Sequence, residues 1–181
     1  MLYGLLPLLR GWMYVHREKQ GYLTLGKEEV IDVIKAPGFF LSAGGLLEES
    51  RDAKYVHIHV EIDGPDRAYP IDFMPYGLYR FGLVSPMNFG AYLTIYDDDK
   101  KQYAAALTPS HPIPFSKRFE VKLIAPPQPI EETEALPIRY HVAYEVVRIT
   151  DVEEFKESVR EVLGTRRAEV LPGVGGRTES F

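Results

Sequence analysis

In the stretch from Lys54 to Gly64, KYVHIHVEIDG, histidines and acids recur at every second position. On a β-strand successive side chains point to opposite faces. Val56, Ile58, Val60 and Ile62 therefore share one side, while Tyr55, His57, His59, Glu61 and Asp63 share the other. Imidazoles and a carboxylate converging from one strand face suit a transition metal, and His57, His59 and either Glu61 or Asp63 are the residues that would ligate it. The same comb also serves as the wet face of a half-buried strand, and that is the expectation here, with no metal and no cofactor. Asp97, Asp98 and Asp99 have the oxygen chemistry calcium uses, but acids followed by Lys100 and Lys101 read as the tip of a solvated hairpin. Ser42, Ser85 and Ser110 stand in no GxSxG context, and the glycines from Gly173 to Gly176 neither follow a strand nor open a helix. The chain has no cysteine, which excludes disulfides, thiolate metal sites and cysteine nucleophiles. No residue is assigned a catalytic role.

Alternation of apolar and polar residues, rather than helical periodicity, runs from residue 11 to 149. Trp12 to Glu18, Gly21 to Leu25 and Glu28 to Lys35 read as short strands separated by Gly-containing breaks. Pro37-Gly38 is a turn, and Gly44-Gly45 inside an apolar run marks a bulge or a close backbone approach. The histidine strand follows, ending at the Asp63-Gly64 turn. Pro65, Pro70, Pro75 and Pro86 loosen the pattern between Tyr69 and Met87, which predicts a long ordered loop with one helical turn around Leu78. Two strands then flank the Asp97 to Lys101 tip, with Ala91, Leu93 and Ile95 on one face and Tyr92, Thr94 and Tyr96 on the other. Phe115, Phe119, Val121 and Leu123 point inward on the next strand, and Tyr140, Val142, Tyr144 and Val146 share a face on the last. Many short strands without crossover helices predict an all-β chain, an antiparallel β-sandwich or jelly roll, over residues 11–149.

One helix is expected at 150–164. Thr150 and Glu153 form a capping-box pattern, Phe155, Val159, Val162 and Leu163 make an apolar stripe, and Gly164 stands as its stop. Residues 165–181 lack a period and read as a flexible tail. At the other end, residues 1–10 form an apolar arm. It lacks the basic start and small-residue cleavage site of an export signal, and it is too short to span a bilayer. Leu2, Tyr3, Leu5, Leu6, Leu8, Leu9 and Trp12 are too apolar for a free tail, so they are expected to contact this domain or a neighbouring subunit.

The chain of 181 residues carries 26 acids against 21 bases, a net charge of -5, which gives no general attraction to nucleic acid or to anionic membranes. Asn88 is the only asparagine and Gln20, Gln102 and Gln128 the only glutamines; scarcity of Asn, Gln and Cys together is a thermophile pattern. The 12 tyrosines could stack on sugars, though on a sandwich Tyr and Phe more often fill core and interface.

His57-Ile58-His59 matches the core of the first cupin motif, with Asp63 standing in for its glutamate. Arg51 occupies the place of a motif glycine, and neither His111 in SHPIPF nor His141 in RYHVAY has the context of the second motif. A cupin-like metal-dependent protein, or a carbohydrate-binding sandwich, is the alternative reading. A broader similarity covers residues 38–125. FFLSAGGLLEESRDAKYVHIHVEIDG, LYRFGLVSPMNFGAYLTIYDDDKKQYAAALTP and PIPFSKRFEVKLIAP together resemble, in layout, small β-sandwich virion proteins of tailed bacteriophages. That resemblance implies a virion structural protein, foremost a capsid decoration (cement) protein and next a tail or connector component. It would act without catalysis, as a homo-oligomer in contact with itself and with other virion proteins.

Overall fold

The computed structural model describes residues 6–64, 71–82 and 89–170, with side chains left aside at 89–90 and 165–170. The chain divides into a large unit, residues 14–148, and a terminal unit formed by residues up to 13 together with those from 149 onward. The large unit holds the sandwich that the alternation predicts. One sheet carries β1 (Trp12–Leu23), β10 (Ile138–Ile149), β3 (Gly38–Glu48), β7 (Gln102–Pro109) and β6 (Phe89–Asp97) in that spatial order, with β8 (Ile113–Phe115) also pairing to β3. The other carries β2 (Glu28–Ile34), β9 (Phe119–Ile124), β4 (His57–Ile62) and β5 (Ile71–Phe73). The chain changes sheet at most of its connections, so each sheet's apolar row is filled from distant parts of the sequence. Val56, Ile58, Val60 and Ile62 from one side meet Phe40, Leu47, Tyr103, Leu107, Val142 and Tyr144 from the other in a single buried cluster.

Four local expectations change. β1 is one continuous strand, not two. Gly21 lies within it because a Cβ there would sit 2.8 Å from the Tyr140 hydroxyl, so the glycine answers a close approach and not a turn. Gly44 does the same: a Cβ would lie 2.5 Å from that of Ala106 on β7. The bulge in β3 falls instead at Leu41, where the pairing to β10 skips a residue. The polar comb starts later than its alternation suggests, since Arg51–Tyr55 is a 3₁₀ turn capped by Ser50, whose hydroxyl accepts from Asp52 N–H at 3.1 Å. Tyr55 therefore belongs to that turn and not to β4. Finally, the loosened region holds more order than a loop. β5 pairs to β4, and α1 (Pro75–Phe81) opens on proline and ends at Gly82, whose φ of 62° is left-handed.

The terminal unit ties both chain ends together. A 3₁₀ turn, Leu6–Leu8, leads into Gly11, whose carbonyl accepts the N–H groups of Thr150 and Asp151 at 2.8 and 3.0 Å. Asp151 is the cap of α2 (Val152–Val170) and accepts from Glu154 N–H at 2.9 Å, in place of the Thr150–Glu153 box. Arg10 N–H donates to Ser158 Oγ and its guanidinium forks onto Glu161, all at 3.1 Å. The helix continues through Gly164 to Val170, past its expected end. A glycine in open space costs a helix only about 1 kcal/mol, and the Arg, Ala and Glu that follow are good helix formers. Residues 171–181, the rest of the expected tail, lie outside the described residues, as do Leu2, Tyr3 and Leu5 of the arm. Of the other arm leucines, Leu6 and Leu9 are buried and Leu8 is 56% exposed. Trp12, half-buried, donates from Nε1 to the Leu9 carbonyl at 2.8 Å. Among the described residues no helix is long and apolar enough to cross a membrane.

Candidate functional site

The histidine comb lies on the outer face of the four-stranded sheet. There β5 brings in a residue that sequence spacing does not reveal, Asp72. Its two carboxylate oxygens take the Nδ1 atoms of His57, at 2.5 Å, and of His59, at 3.0 Å. Burial alone would raise the Asp72 pKa; the bonds from His57 and then His59 outweigh it and hold the carboxyl well below its usual range. The same bond to Asp72 raises His57. Lys122, on β9, stands opposite His59 and is paired with Glu28 at 3.3 Å, so a cation already occupies this face. Asp63 has left the comb. Its φ is 58°, and its carboxylate accepts the N–H groups of Ser116, Lys117 and Arg118 at 2.7 to 3.1 Å, which pulls it to a pKa of about 2. The three candidate ligands do not converge, and among the described residues no group of three histidines or acids is placed to hold a metal. His111, in the bend after β7, meets Ser110, and His141 lies on the other sheet, so the cupin pattern is not assembled.

The His57–Asp72 bond makes a pH prediction. A histidine raised on folding adds stability fully below its unfolded pKa of about 6.5, lost as pH rises through its folded value; a depressed aspartate adds stability above about 3.9, lost as pH falls through its folded value. Both contributions coexist near pH 5. The melting-temperature gap between the native chain and Asp72→Asn should be widest near pH 5 and narrower at pH 8. Solvent exposure keeps it within about 1 kcal/mol. A gap that grows toward pH 8 would remove the charge-assisted bond.

The acidic hairpin tip is not a calcium loop either, because its acids diverge. Asp97 accepts Lys100 N–H at 3.0 Å and closes the turn. Asp98 turns inward to Lys54 Nζ, at 2.9 Å, and accepts the Tyr103 hydroxyl at 2.6 Å. Lys54 is 3% exposed, paired also with Glu131 at 2.7 Å, and lies 5.3 to 5.7 Å from the ring centroids of Tyr55, Tyr96 and Tyr103. Tyr79 and Tyr76 of α1 pack on Tyr96. This cluster locks the hairpin and α1 in place. Its cation is sealed, so it has no free amine to offer a substrate.

What remains open is the outer face of the six-stranded sheet. Its central positions are small: Gly44 on β3 lies between Ala106 of β7 and Ala143 of β10, and the next row is Ala104, Leu46 and His141. Together they floor a trough of about 370 Å³. One side is polar. Glu18 accepts from His16 Nε2 at 2.9 Å and from His141 Nε2 at 3.2 Å, Glu145 accepts the Ser42 hydroxyl at 2.9 Å, and His16 Nδ1 lies 3.6 Å from Glu145. The bond to Glu145 also pushes the Tyr14 hydroxyl up to a pKa of about 12. The order here is hydroxyl, carboxylate, imidazole, so no imidazole stands where it could take the serine proton, and the group lacks the relay of an acyl-transfer enzyme. The other side is apolar: Leu93 and Ile95 of β6, opposite Ala106 and Ala104, are 62% and 48% exposed.

The sequence did carry a signal for this face. Outward positions of an antiparallel strand are normally polar, yet Gly44, Leu46, Ala104, Ala106 and Ala143 all fall on them. A floor without side chains lets a partner's backbone or a flat side chain approach the sheet closely, with hydrogen-bonding groups along one wall. No protein-family model matches the sequence, and no curated protein matches it.

Proposed function

We propose that the chain is a non-enzymatic structural subunit that works through protein–protein contacts, foremost as a capsid decoration (cement) protein of a tailed bacteriophage from a thermophilic host, and next as a tail or connector component. One observation supports this above the others: the outer face of the six-stranded sheet is paved with glycine, alanine and leucine where a solvated face would carry charge. Such a floor, rimmed by His16, Glu18, His141 and Glu145, matches the anatomy of an interface, an apolar centre with a polar border. The resemblance over residues 38–125 supports the virion setting, and the scarcity of Asn, Gln and Cys supports the thermophilic one.

The test is assembly beyond a small oligomer. Light scattering and electron microscopy of the full chain should show rings, lattices or sheets, and Ala106→Lys with Ala143→Lys, which plants two charges on the floor, should abolish them while leaving circular dichroism unchanged. A chain starting at Gly11 should assemble at least tenfold more weakly, because it removes Leu8 and the segment around it. Small oligomers only, with stoichiometric binding of an oligosaccharide in a glycan panel, would overturn the reading in favour of a carbohydrate-binding sandwich.

A further inference from the structure

A sandwich has four sheet edges, and an edge is a row of unpaired backbone donors and acceptors that invites another strand unless it is guarded. Three of the four are guarded. β1 sets His16, Arg17, Glu18 and Lys19 along its middle, and β2 carries Glu28, Glu29 and Asp32, with Lys19 Nζ donating to the Val30 carbonyl at 2.9 Å. β5 is only three residues long, with Asp72 at its centre. The fourth edge is β6, and it has none of these devices. From Ala91 to Tyr96 it offers six consecutive uncharged residues, AYLTIY, with no proline and no lysine, and no described strand pairs with its outer side. Its exposed apolar side chains lie on both faces: Tyr92 is 55% exposed on one, and Leu93 and Ile95 are exposed on the other. The edge is also held in shape. Tyr79 of α1 stacks on Tyr96 with ring centroids 4.3 Å apart, and Tyr96 packs edge-on against buried Tyr103, so little ordering entropy remains to be lost on pairing.

We propose that β6 is a self-association edge: two copies pair it antiparallel across a two-fold axis near Leu93, joining their six-stranded sheets into one. This deepens the reading of the chain as an assembly subunit and rests on it, by naming the first partner as a second copy. Symmetry decides the direction of pairing. A two-fold axis along the strands would pair them parallel but turn one sheet over, setting Leu93 and Ile95 of the two copies on opposite faces, whereas a two-fold axis perpendicular to the sheet pairs them antiparallel and keeps these side chains on one face. Antiparallel pairing about the strand's middle also sets apolar residues opposite apolar ones, because Ala91, Leu93 and Ile95 share one face with their own symmetry mates. The contact is isologous, so it consumes both β6 edges and closes at the dimer, leaving the guarded edges outermost.

In the Ala106→Lys and Ala143→Lys variant, in which the larger assemblies are abolished, light scattering should give twice the 20.6 kDa mass of the chain. Leu93→Lys with Ile95→Lys, a guard of the kind the other edges carry, should return it to 20.6 kDa with an unchanged circular dichroism spectrum. Because the chain has no cysteine, single cysteines locate the axis. Paired residues on neighbouring antiparallel strands lie about 4.5–5.5 Å apart, within the span a disulfide bridges. Of Tyr92→Cys, Leu93→Cys and Ile95→Cys, the one nearest the axis should form a disulfide-linked dimer at least tenfold faster than the other two. A native chain that stays monomeric over two decades of concentration overturns the inference, as does a dimer that survives the two lysines or links through the three cysteines at equal rates. These outcomes are separate from the assembly test above. A dimer lost on removing residues 1–10 but kept with both lysines defeats β6 pairing and leaves the structural-subunit reading standing, while a β6 dimer that builds nothing larger defeats that reading and leaves the pairing.

Discussion

Converting Asp98 to Asn together with Glu131 to Gln should cost about 3–5 kcal/mol of folding stability, more than removing the lysine they share. The asymmetry follows from exposure. Lys54 is 3% exposed, whereas Asp98 and Glu131 are 47% and 35% exposed. In Lys54→Met the two carboxylates turn to water, and the methionine stays among Tyr55, Tyr96 and Tyr103, so the loss should be about 1–2 kcal/mol. In the double amide variant the cation has no water to turn to. Burial by itself lowers the Lys54 pKa; in the native chain the bonds to Glu131, Tyr96 and Asp98 outweigh burial and raise it. Without the carboxylates the burial effect prevails, and folding then binds fewer protons than unfolding between the depressed folded pKa and the unfolded value of about 10.4. The deficit of the double variant relative to the native chain should therefore shrink as pH rises from 7 to 10. Chemical denaturation of the three proteins across that range is the measurement. Equal losses in Lys54→Met and in the double variant, with no pH trend, would mean that the cation is not sealed.

Phe119→Ala should be of similar size, about 3–5 kcal/mol, for a different reason. Phe119 belongs to β9 of the four-stranded sheet, is fully buried, and contacts Phe40 and Tyr144 of the six-stranded sheet and Phe115 of β8, with ring centroids 5.3 to 5.6 Å apart. Its deletion leaves a hole lined by rigid rings on strands that cannot close over it, so the cavity cost adds to the lost transfer energy. For a chain of this size the melting temperature should fall by roughly 10 °C, at about 2–4 °C per kcal/mol. Phe119→Leu, which keeps most of the volume, should cost under about 1.5 kcal/mol. A Phe119→Ala loss no larger than that of Phe119→Leu would mean that the two sheets do not close around this ring.

The faces of β4 and β10 were legible because each has a strict two-residue period that buries one row: Ile58, Val60 and Ile62, then Tyr140, Val142, Tyr144 and Val146. The hairpin tip at Asp97 to Lys101 was legible for the same local reason. β5 was not, since three residues between proline-rich segments hold too little of the period to be distinguished from loop. β1 read as two strands because Gly21 looks like punctuation, when the Tyr140 hydroxyl is what requires it. At α2 the cap stands one residue later than the Thr150–Glu153 pattern, at Asp151, whose carboxylate accepts Glu154 N–H, while the Gly11 carbonyl, distant in sequence, holds the N–H groups of both Thr150 and Asp151.

The candidate site divides in the same way. By itself the sequence determined an antiparallel sandwich with a C-terminal helix and the alternating faces of β4, β6 and β10. Only the tertiary structure decided which strands are neighbours, and every site described above is made of neighbours. Asp72 joins His57 and His59 because β5 pairs with β4; Lys54 meets Asp98 across a separation of 44 residues; and β6 is the unguarded edge because, among the described residues, no strand pairs with its outer side. Side-chain alternation is fixed by the geometry of the local backbone, whereas strand order is set by how apolar rows from distant segments close one common core, and that is a property of the whole chain.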